Sequence, residues 1–233
     1  MPTTAIFDIG KTNKKFFIFN EKLEVIHQAY TSIPLIEDED GHPSDDLPTI
    51  ADWMQATLER ALRSDWDWNI QRVNFSTYGA TMIHLDAESQ PVTPYVVNYT
   101  KPVPEGLQQK FFKQYGGQEQ VCRETASPPL EMLNSGWQLY FLKQEKPELF
   151  AKIRHALHLP QFCSSLLTQK LYSEPTSIGC HTMLWDFEQQ DYHRWLEAEG
   201  MRSFFPETVP TTTTYEVNWK GHDLIVGVGI HDS

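Results

Sequence analysis

Residues 4–19 read TAIFDIGKTNKKFFIF, two apolar runs on either side of a polar turn. The runs 4–8 and 15–19 are short and rich in aromatic and β-branched residues, which is typical of strands, and residues 10–13 have the composition of a tight turn. A second turn at 20–22 leads into a third run at 23–30. Two hairpins within thirty residues predict that the domain begins with three antiparallel strands.

Beyond this start, strands and helices alternate. Asp45 and Asp46 precede Pro48, and apolar residues then recur every three or four positions up to Arg63, which predicts a helix. The acidic segment 37–43 is expected to be solvated, and 211–214 to be a linker. Further strands are predicted at 72–77, 80–86 and 223–230, and further helices at 107–115, 135–143, 147–155, 161–168 and 191–199. This order predicts a mixed α/β architecture.

Composition excludes several classes of protein. The chain has 233 residues and a formal net charge of −12, so nucleic acid and acidic membrane surfaces are poor partners. No apolar run approaches the roughly 18–20 residues that cross a bilayer. The three cysteines form no CxxC pair, which disfavours a disulfide scaffold or zinc module and leads us to expect a cytoplasmic protein.

The turn after the first strand has the residues of a phosphate site. It is not a P-loop, because Ala5 stands where that motif needs its first glycine. Gly10 lets the backbone approach an anion, Thr12 and Asn13 offer donors, and Lys15 offers positive charge. Asp8 could hold a hydrated magnesium ion. An ordinary polar hairpin is the alternative interpretation.

The last apolar strand is followed at once by His231, Asp232 and Ser233. Because such a strand normally delivers polar residues into a site and another element follows, we expect the chain to be one domain of a larger molecule. Phosphoryl transfer needs positioning, charge stabilisation and a group that accepts the nucleophile's proton. Asp232 is the candidate base, and a solvated terminal residue is the alternative.

Other histidines have simpler interpretations. The pairs His222–Asp223 and His231–Asp232 resemble two-metal ligands, but the further ligands of a metal phosphohydrolase find no candidates. His155 and His158 are expected at the end of a helix, where they would stabilise its dipole. His84 is expected to be a hydrogen-bonded structural histidine.

Four segments together resemble the FGGY carbohydrate kinases. Residues 6–15 resemble the family's phosphate-1 segment, and 75–86 resemble its strand–turn–strand beside the sugar pocket. Residues 159–168, together with Glu174 and 181–186, are similar to the family's proline–helix–LTG and following segment. The closing residues 229–233 resemble the glycine-rich turn that carries the catalytic aspartate.

The resemblance implies a ribonuclease H-like, actin-like ATPase α/β fold, with a mixed sheet, the antiparallel three-stranded start and flanking helices. Residues 1–233 would form the N-terminal sugar-binding domain, and the C-terminal ATP-binding domain would be missing, to be supplied in cis or in trans. The implied reaction is phosphorylation of a ketose or polyol with ATP and Mg²⁺. The implied phosphate-binding residues are Asp8, Gly10, Thr12, Asn13 and Lys15, with Asp8 also the metal ligand. The implied sugar-binding residues are Tyr78, Gly79, Ala80, Thr81, Asn134, Trp137, Gln138 and the base Asp232.

Departures from the family pattern limit what the resemblance implies. Lys15 stands where several members have arginine, and Gln169 replaces the glycine of the LTG turn. The turn at 78–81 lacks the Arg-Glu pair of glycerol kinases and the Met-His pair of xylulokinases, so the sugar is not identified. Trp137 is equally compatible with core packing. The alternative function is a non-catalytic half that binds sugar or assembles with a separate polypeptide, and we expect this chain alone to be inactive.

Overall fold

A seven-stranded mixed sheet is the centre of the computed structural model, which describes residues 1–63 and 66–232. In spatial order its strands are β12 (Thr214–Trp219), β13 (His222–Gly227), β6 (Asn69–Thr77), β1 (Pro2–Ile9), β2 (Lys14–Phe19) and β3 (Val25–Thr31), and β14 (Ile230–His231) follows β13 alongside β6. The pairs β1–β2, β2–β3 and β12–β13 are antiparallel, whereas β6 is parallel to β1, β13 and β14.

The three-stranded antiparallel start is therefore confirmed. Burial alternates along β1 and β2, as it must when one face of a sheet meets a helix and the other is partly solvated. Alternation fixes the register, because a slip by one residue would turn Phe7 outward. In the observed register Asp8 lies opposite Lys15 on β2 and opposite Ser76 on β6.

One hydrophobic core lies between the sheet and helices α1 (Leu47–Arg63) and α6 (Leu159–Thr168). The ring of Phe7 is 4.8 Å from that of Phe16, 5.6 Å from Trp53 and 5.9 Å from Phe75. Asp46 begins α1, where its carboxylate accepts the Thr49 amide at 3.0 Å, the usual way to satisfy a first-turn donor. The predicted boundaries of both helices hold to within about two residues.

A second core is formed by the helical layer in the middle of the chain. Aromatic rings fill it: Phe111 packs against Trp137, Tyr140 and Trp195 with T-shaped geometry. The layer's helices are α2 Leu107–Gln114, α3 Gln118–Glu124, α4 Ser135–Glu145, α5 Pro147–Phe150, α7 Pro175–Ile178 and α8 Trp195–Ala198, with 3₁₀ turns at Glu131–Leu133 and Arg202–Phe204. In the described part of the chain, no helix is long and apolar enough to span a membrane.

The acidic segment 37–43 is solvated at most of its positions, as predicted, and Asp38 is the exception. The segment connects β4 (Leu35–Glu37) to β5 (Pro43–Asp46), which also pairs with β8 (Tyr95–Val96). Asp38 is buried and forms an ion pair with Lys101, which also reaches Asp40 at 2.7 Å. The charge of Lys101, more than fifty residues away, compensates for the burial of Asp38, whereas Asp40 stays exposed.

Three other predicted elements also differ. The helix predicted at 147–155 ends at Phe150, and His155–His158 forms strand β9, which pairs with β7 (Met82–Leu85). The segment 191–199 contains a short hairpin strand, β11 (Asp191–Tyr192), paired with β10 (Trp185–Asp186), and only one helical turn. The predicted linker runs directly into edge strand β12.

Candidate active site

Asp8 and Lys15 form an ion pair at the end of β1. The Lys15 Nζ lies 2.9 Å from Asp8 Oδ2, and the side chains keep 35% and 27% of their surface exposed. The hydrogen bond to Asp8 raises the pKa of Lys15, and the charge of Asp232 acts in the same direction. Because water reaches both side chains, each can exchange its partner for a ligand. Lys15 can then bind an anion, and Asp8 can bind a cation.

The turn between β1 and β2 is closed by its own backbone. The Gly10 amide donates to the Asn13 carbonyl at 2.9 Å, and a Cβ on Gly10 would lie 3.1 Å from that oxygen. Thr12 and Asn13 are exposed at its tip. Their side chains are therefore available as donors to a ligand beside Lys15.

The other two lysines of this hairpin, Lys11 in the turn and Lys14 at the start of β2, are directed to Asp45. Lys11 Nζ lies 2.5 Å and Lys14 Nζ 3.2 Å from its carboxylate, and the Tyr78 hydroxyl donates to it at 2.7 Å. Burial alone would raise the pKa of Asp45, but the Lys11 hydrogen bond and the neighbouring charges more than compensate and lower it. Tyr78, predicted in the sugar pocket, therefore uses its hydroxyl to hold the turn. Nothing in the local sequence pattern identifies Asp45 as this partner.

The turn at Gly79–Thr81 lies against His231. A Cβ on Gly79 would be 2.2 Å from His231 Nε2, so only glycine allows this approach. A cavity of about 10 Å³, room for about one water, is lined there by Gly79, Ala80, Thr81, Ser177, Cys180 and His231. Within the described residues, His231 Nδ1 and Ser177 Oγ are buried without a hydrogen-bond partner. Two of the residues that line the cavity beside the predicted sugar turn therefore carry unsatisfied polar atoms.

The three residues predicted on or just before α4 are all buried. The Gln138 amide donates to the Ala80 carbonyl at 2.8 Å and so supports the sugar turn from behind. Asn134 donates to the carbonyl of His181 at 2.6 Å. Trp137 lies in the helical core against Phe111, in agreement with the core-packing interpretation. Two of the three therefore bind the backbone of neighbouring segments instead of facing an open pocket.

Asp232 comes to the same edge of the sheet as Asp8. Its amide donates to the Thr77 carbonyl at 3.1 Å, just beyond the pairing of Ile230 with Ser76, the residue that also pairs with Asp8. Gly229 precedes β14 with φ +79°, where a Cβ would lie 2.6 Å from the Pro160 carbonyl. Ser233, the last residue of the motif, lies outside the described residues.

Two buried histidines correct the earlier expectations. His158 is the last residue of β9 and the N-cap of α6, so it lies at a helix N-terminus and not at the C-terminal end that was expected, and its Nε2 is 2.9 Å from Ser135 Oγ. His84 is not fully hydrogen-bonded, because its Nε2 has no partner in the described part of the chain. Burial lowers the pKa of His158 to about 3 and that of His84 to about 4, so both are neutral near pH 7.

One cluster has metal-ligand chemistry but lies elsewhere. Glu124, Asp186 and His193 bring their polar atoms within 4.8 Å of one another. His193 Nε2 lies 2.9 Å from Glu124 Oε2, and its Nδ1 accepts the Trp195 amide at 3.3 Å. Both ring nitrogens are engaged within the protein, so the cluster tethers α3 to the segment before α8.

Two bacterial sugar kinases are similar to this chain in sequence. The chain is 28% identical over 120 residues to a rhamnulokinase of Halalkalibacterium halodurans, covering 49% of this chain and 25% of that protein. It is 27% identical over 197 residues to an L-fuculokinase of Haemophilus influenzae, covering 78% of this chain and 38% of that one.

Solved structures show the same fold. A carbohydrate kinase from Novosphingobium aromaticivorans superposes with a TM-score of 0.83 at 23% identity, over 98% of this chain and 49% of that one. A Plasmodium falciparum glycerol kinase with ADP superposes with a TM-score of 0.82 at 16% identity, over 100% of this chain and 49% of that one. The chain therefore spans about half the length of these proteins, or less.

The mixed sheet and the polar residues at its edge define one domain of the actin-like ATPase fold. Residues 3–228 match the N-terminal domain model of the FGGY family of carbohydrate kinases. The chain belongs to that family.

Proposed function

We propose that this chain supplies the sugar site, the phosphate-1 turn and the catalytic base for phosphorylation of a ketose or polyol by MgATP. The observation that carries the proposal is that Asp8, Lys15 and Asp232 meet at one edge of the sheet, although they come from opposite ends of the chain. The similarity to a rhamnulokinase, to an L-fuculokinase and to a glycerol kinase solved with ADP supports this reaction class.

The phosphates would lie at the β1–β2 turn. Lys15 offers a cation, and the exposed side chains of Thr12 and Asn13 offer hydrogen bonds beside Gly10. The partly exposed Asp8 carboxylate fits Mg²⁺, which prefers oxygen ligands and retains several waters. The metal would neutralise charge on the transferred phosphoryl group. Asp8 would then exchange its contact with Lys15 for one with the hydrated ion.

Asp232 would accept the proton of the sugar hydroxyl. Its backbone is fixed to β6, and its Oδ1 lies 3.7 Å from Nε2 of the cavity-lining His231, so a hydroxyl bound beside Gly79 would be close to the carboxylate. A base must be within hydrogen-bond reach of the proton it removes, and the turn at Gly229 provides that approach.

A second candidate is a non-catalytic half that works with another polypeptide. Both candidates share the sugar site, and they differ in whether adding a second domain, in the same chain or another, produces turnover.

The decisive experiment pairs this chain with the C-terminal half of an FGGY kinase, fused or added in trans, and assays a panel of ketoses and polyols. Asp232→Asn should reduce kcat at least about a hundredfold with little change in sugar affinity, because a positioned base contributes about 10²–10⁴. The matched control is Asp223→Asn, an exposed aspartate on β13. Turnover by residues 1–233 alone, or a fully active Asp232→Asn enzyme, would contradict the assignment.

Sugar binding can be tested on the chain alone. One member of the panel should slow amide exchange at residues 78–81 and 134–138, with affinity of about 1 mM, roughly −4 kcal/mol, because residues 1–233 by themselves would supply one wall of the cleft. Measurable binding with protection confined to other segments would refute the pocket.

A further inference from the structure

Glu174 has a fully buried carboxyl group that the proposed reaction does not use. It lies just before α7, and its oxygens accept from four donors: the amides of Thr176 and Ser177 and the hydroxyls of Thr176 and Thr211. Across residues 1–63 and 66–232, no lysine, arginine or histidine forms an ion pair with it. Burying a carboxylate without a cation is costly, and a serine or asparagine could cap so short a helix at lower cost.

The hydroxyl of Thr176 connects this carboxylate to the Asp232 segment. Thr176 Oγ1 donates to Glu174 Oε2 at 2.5 Å and accepts the His231 amide at 3.0 Å. The His231 amide can only donate, so the Thr176 oxygen must accept from it, and the hydroxyl proton of Thr176 is then directed to the Glu174 carboxylate. A glutamine at this position could donate instead and reverse the hydroxyl.

The hydrogen bond from the His231 amide to Thr176 is one of several that hold the backbone leading to Asp232. The Asp232 amide is bound by Thr77 of β6, and the Gly229 amide by the side chain of Asn74. Gln161 of α6 donates to the Gly229 carbonyl at 3.0 Å. The Thr176 hydroxyl holds this segment at a further point, because it accepts the amide of His231, the residue immediately before Asp232.

We propose that Glu174 is a positioning residue for Asp232, acting through the Thr176 hydroxyl on the His231 backbone. This inference rests on the proposed function for its catalytic consequence, although the positioning itself is a property of the chain alone. Its predicted effect is on the geometry of the base, and therefore on kcat more than on sugar affinity.

The test uses two threonines that donate to the same carboxylate. Thr176→Val and Thr211→Val each remove one hydroxyl from Glu174, but only the first breaks the link to His231. In the 233-residue chain, Thr176→Val should speed amide exchange at His231 and Asp232 about tenfold or more, and Thr211→Val should change it less than about twofold. Thr176→Ser should restore protection, and Glu174→Gln should behave like Thr176→Val.

If Thr176→Val does not fold, Thr176→Ala removes the same oxygen with less bulk. In the enzyme completed by a C-terminal half, Thr176→Val and Glu174→Gln should lower kcat about tenfold or more with the sugar KM within about threefold. Equal exchange changes in the two valine variants, or equal losses of kcat, would overturn the positioning role. If the amide exchange rates change as expected but the completed protein phosphorylates no sugar, the proposed function is refuted and the positioning role of Glu174 is not.

Discussion

Two aspartates form ion pairs with lysines of the same hairpin, one pair exposed to solvent and the other buried. The carboxylate of Asp8 keeps 27% of its surface exposed against Lys15, whereas that of Asp45 keeps 2% and lies against Lys11 and the buried Lys14. Alternation along β2 explains the difference, because successive residues face opposite sides of the sheet. Neighbouring lysines of one motif therefore have different roles, one at the ligand edge and two in the architecture.

The difference in exposure shows which of these lysines is available to bind a ligand. Lys14 donates to the carbonyls of Gly10 and Lys11 at 3.1 Å as well as to Asp45, so its three donors are used within the protein. Lys15 pairs with Asp8 and keeps about a third of its side-chain surface open to solvent. Measurements of unfolding free energy and of turnover should separate the two pairs.

The largest expected effect is from Asp45→Ala. This change leaves the buried Lys14 ammonium without its counter-charge, and removing one partner of a buried pair costs about 3–5 kcal/mol. Urea unfolding measures it. Asp46→Ala, one residue on, removes only the cap of α1 and should cost about 1 kcal/mol. Equal losses in both variants would show that the Asp45 cluster is not the stronger anchor.

Lys14→Met should have the next largest effect. It leaves two backbone carbonyls without the lysine's hydrogen bonds, but Asp45 retains Lys11 and Tyr78, so about 2 kcal/mol should be lost. The matched change Lys15→Met, at the exposed pair, should alter the unfolding free energy by less than about 1 kcal/mol. A ranking in the opposite order would contradict the inward orientation of Lys14.

Acid should distinguish the clusters further. The pKa of Asp45 is lowered in the folded chain, so its stabilising contribution is present above the unfolded pKa of about 4 and is lost as the pH falls through the folded value. The wild type should therefore lose up to about 1.4 kcal/mol more per pH unit below pH 4 than Asp45→Asn.

His84 and His158 also weaken the fold as the pH falls below about 6.5, because their folded pKa values are lowered and the unfolded chain binds more protons. They do so equally in both proteins and cancel from the difference between them. If the unfolding free energies of the wild type and Asp45→Asn fell equally with pH below pH 4, this would be inconsistent with the role assigned to Asp45.

The smallest effect on stability, and a large one on activity, is expected at the ligand edge. Asp8→Asn and Lys15→Ala should each change the unfolding free energy by less than about 1 kcal/mol, as solvent-exposed pairs do. In the completed enzyme Asp8→Asn should lose most turnover with sugar affinity intact, and Lys15→Ala should lose less, because Thr12 and Asn13 remain. Loss of sugar affinity in both would reject the separation of phosphate and sugar sites.

Local patterns were sufficient for the antiparallel start and for α1 and α6, where periodicity and helix-start residues agree. They failed at β9, because four residues between two helical segments are too few for a period to be distinguished. They also failed at β12, whose threonine-rich beginning resembles a linker.

For the site, order along the chain and family resemblance led to Asp8, Lys15 and Asp232. The sequence did not indicate the supporting roles of Asp45 and Glu174, because the contacts that define them join distant parts of the chain. Asp45 binds lysines over thirty residues away. Thr176, which donates to Glu174, accepts the amide of His231, 55 residues further along the chain. Only the tertiary structure brings such donors and acceptors together.

The pairing of β6 with β13 and β14 has a consequence for folding kinetics. Arg72 faces Ile225 across this junction, and the whole helical layer lies between them in the chain. The loop-closure entropy of that contact is large unless the intervening segment is already compact, whereas the hairpins of β1–β3 close over a few residues. The half of the sheet that carries Asp232 should therefore be completed late, once the helical layer has brought its two ends together, while the phosphate turn forms early.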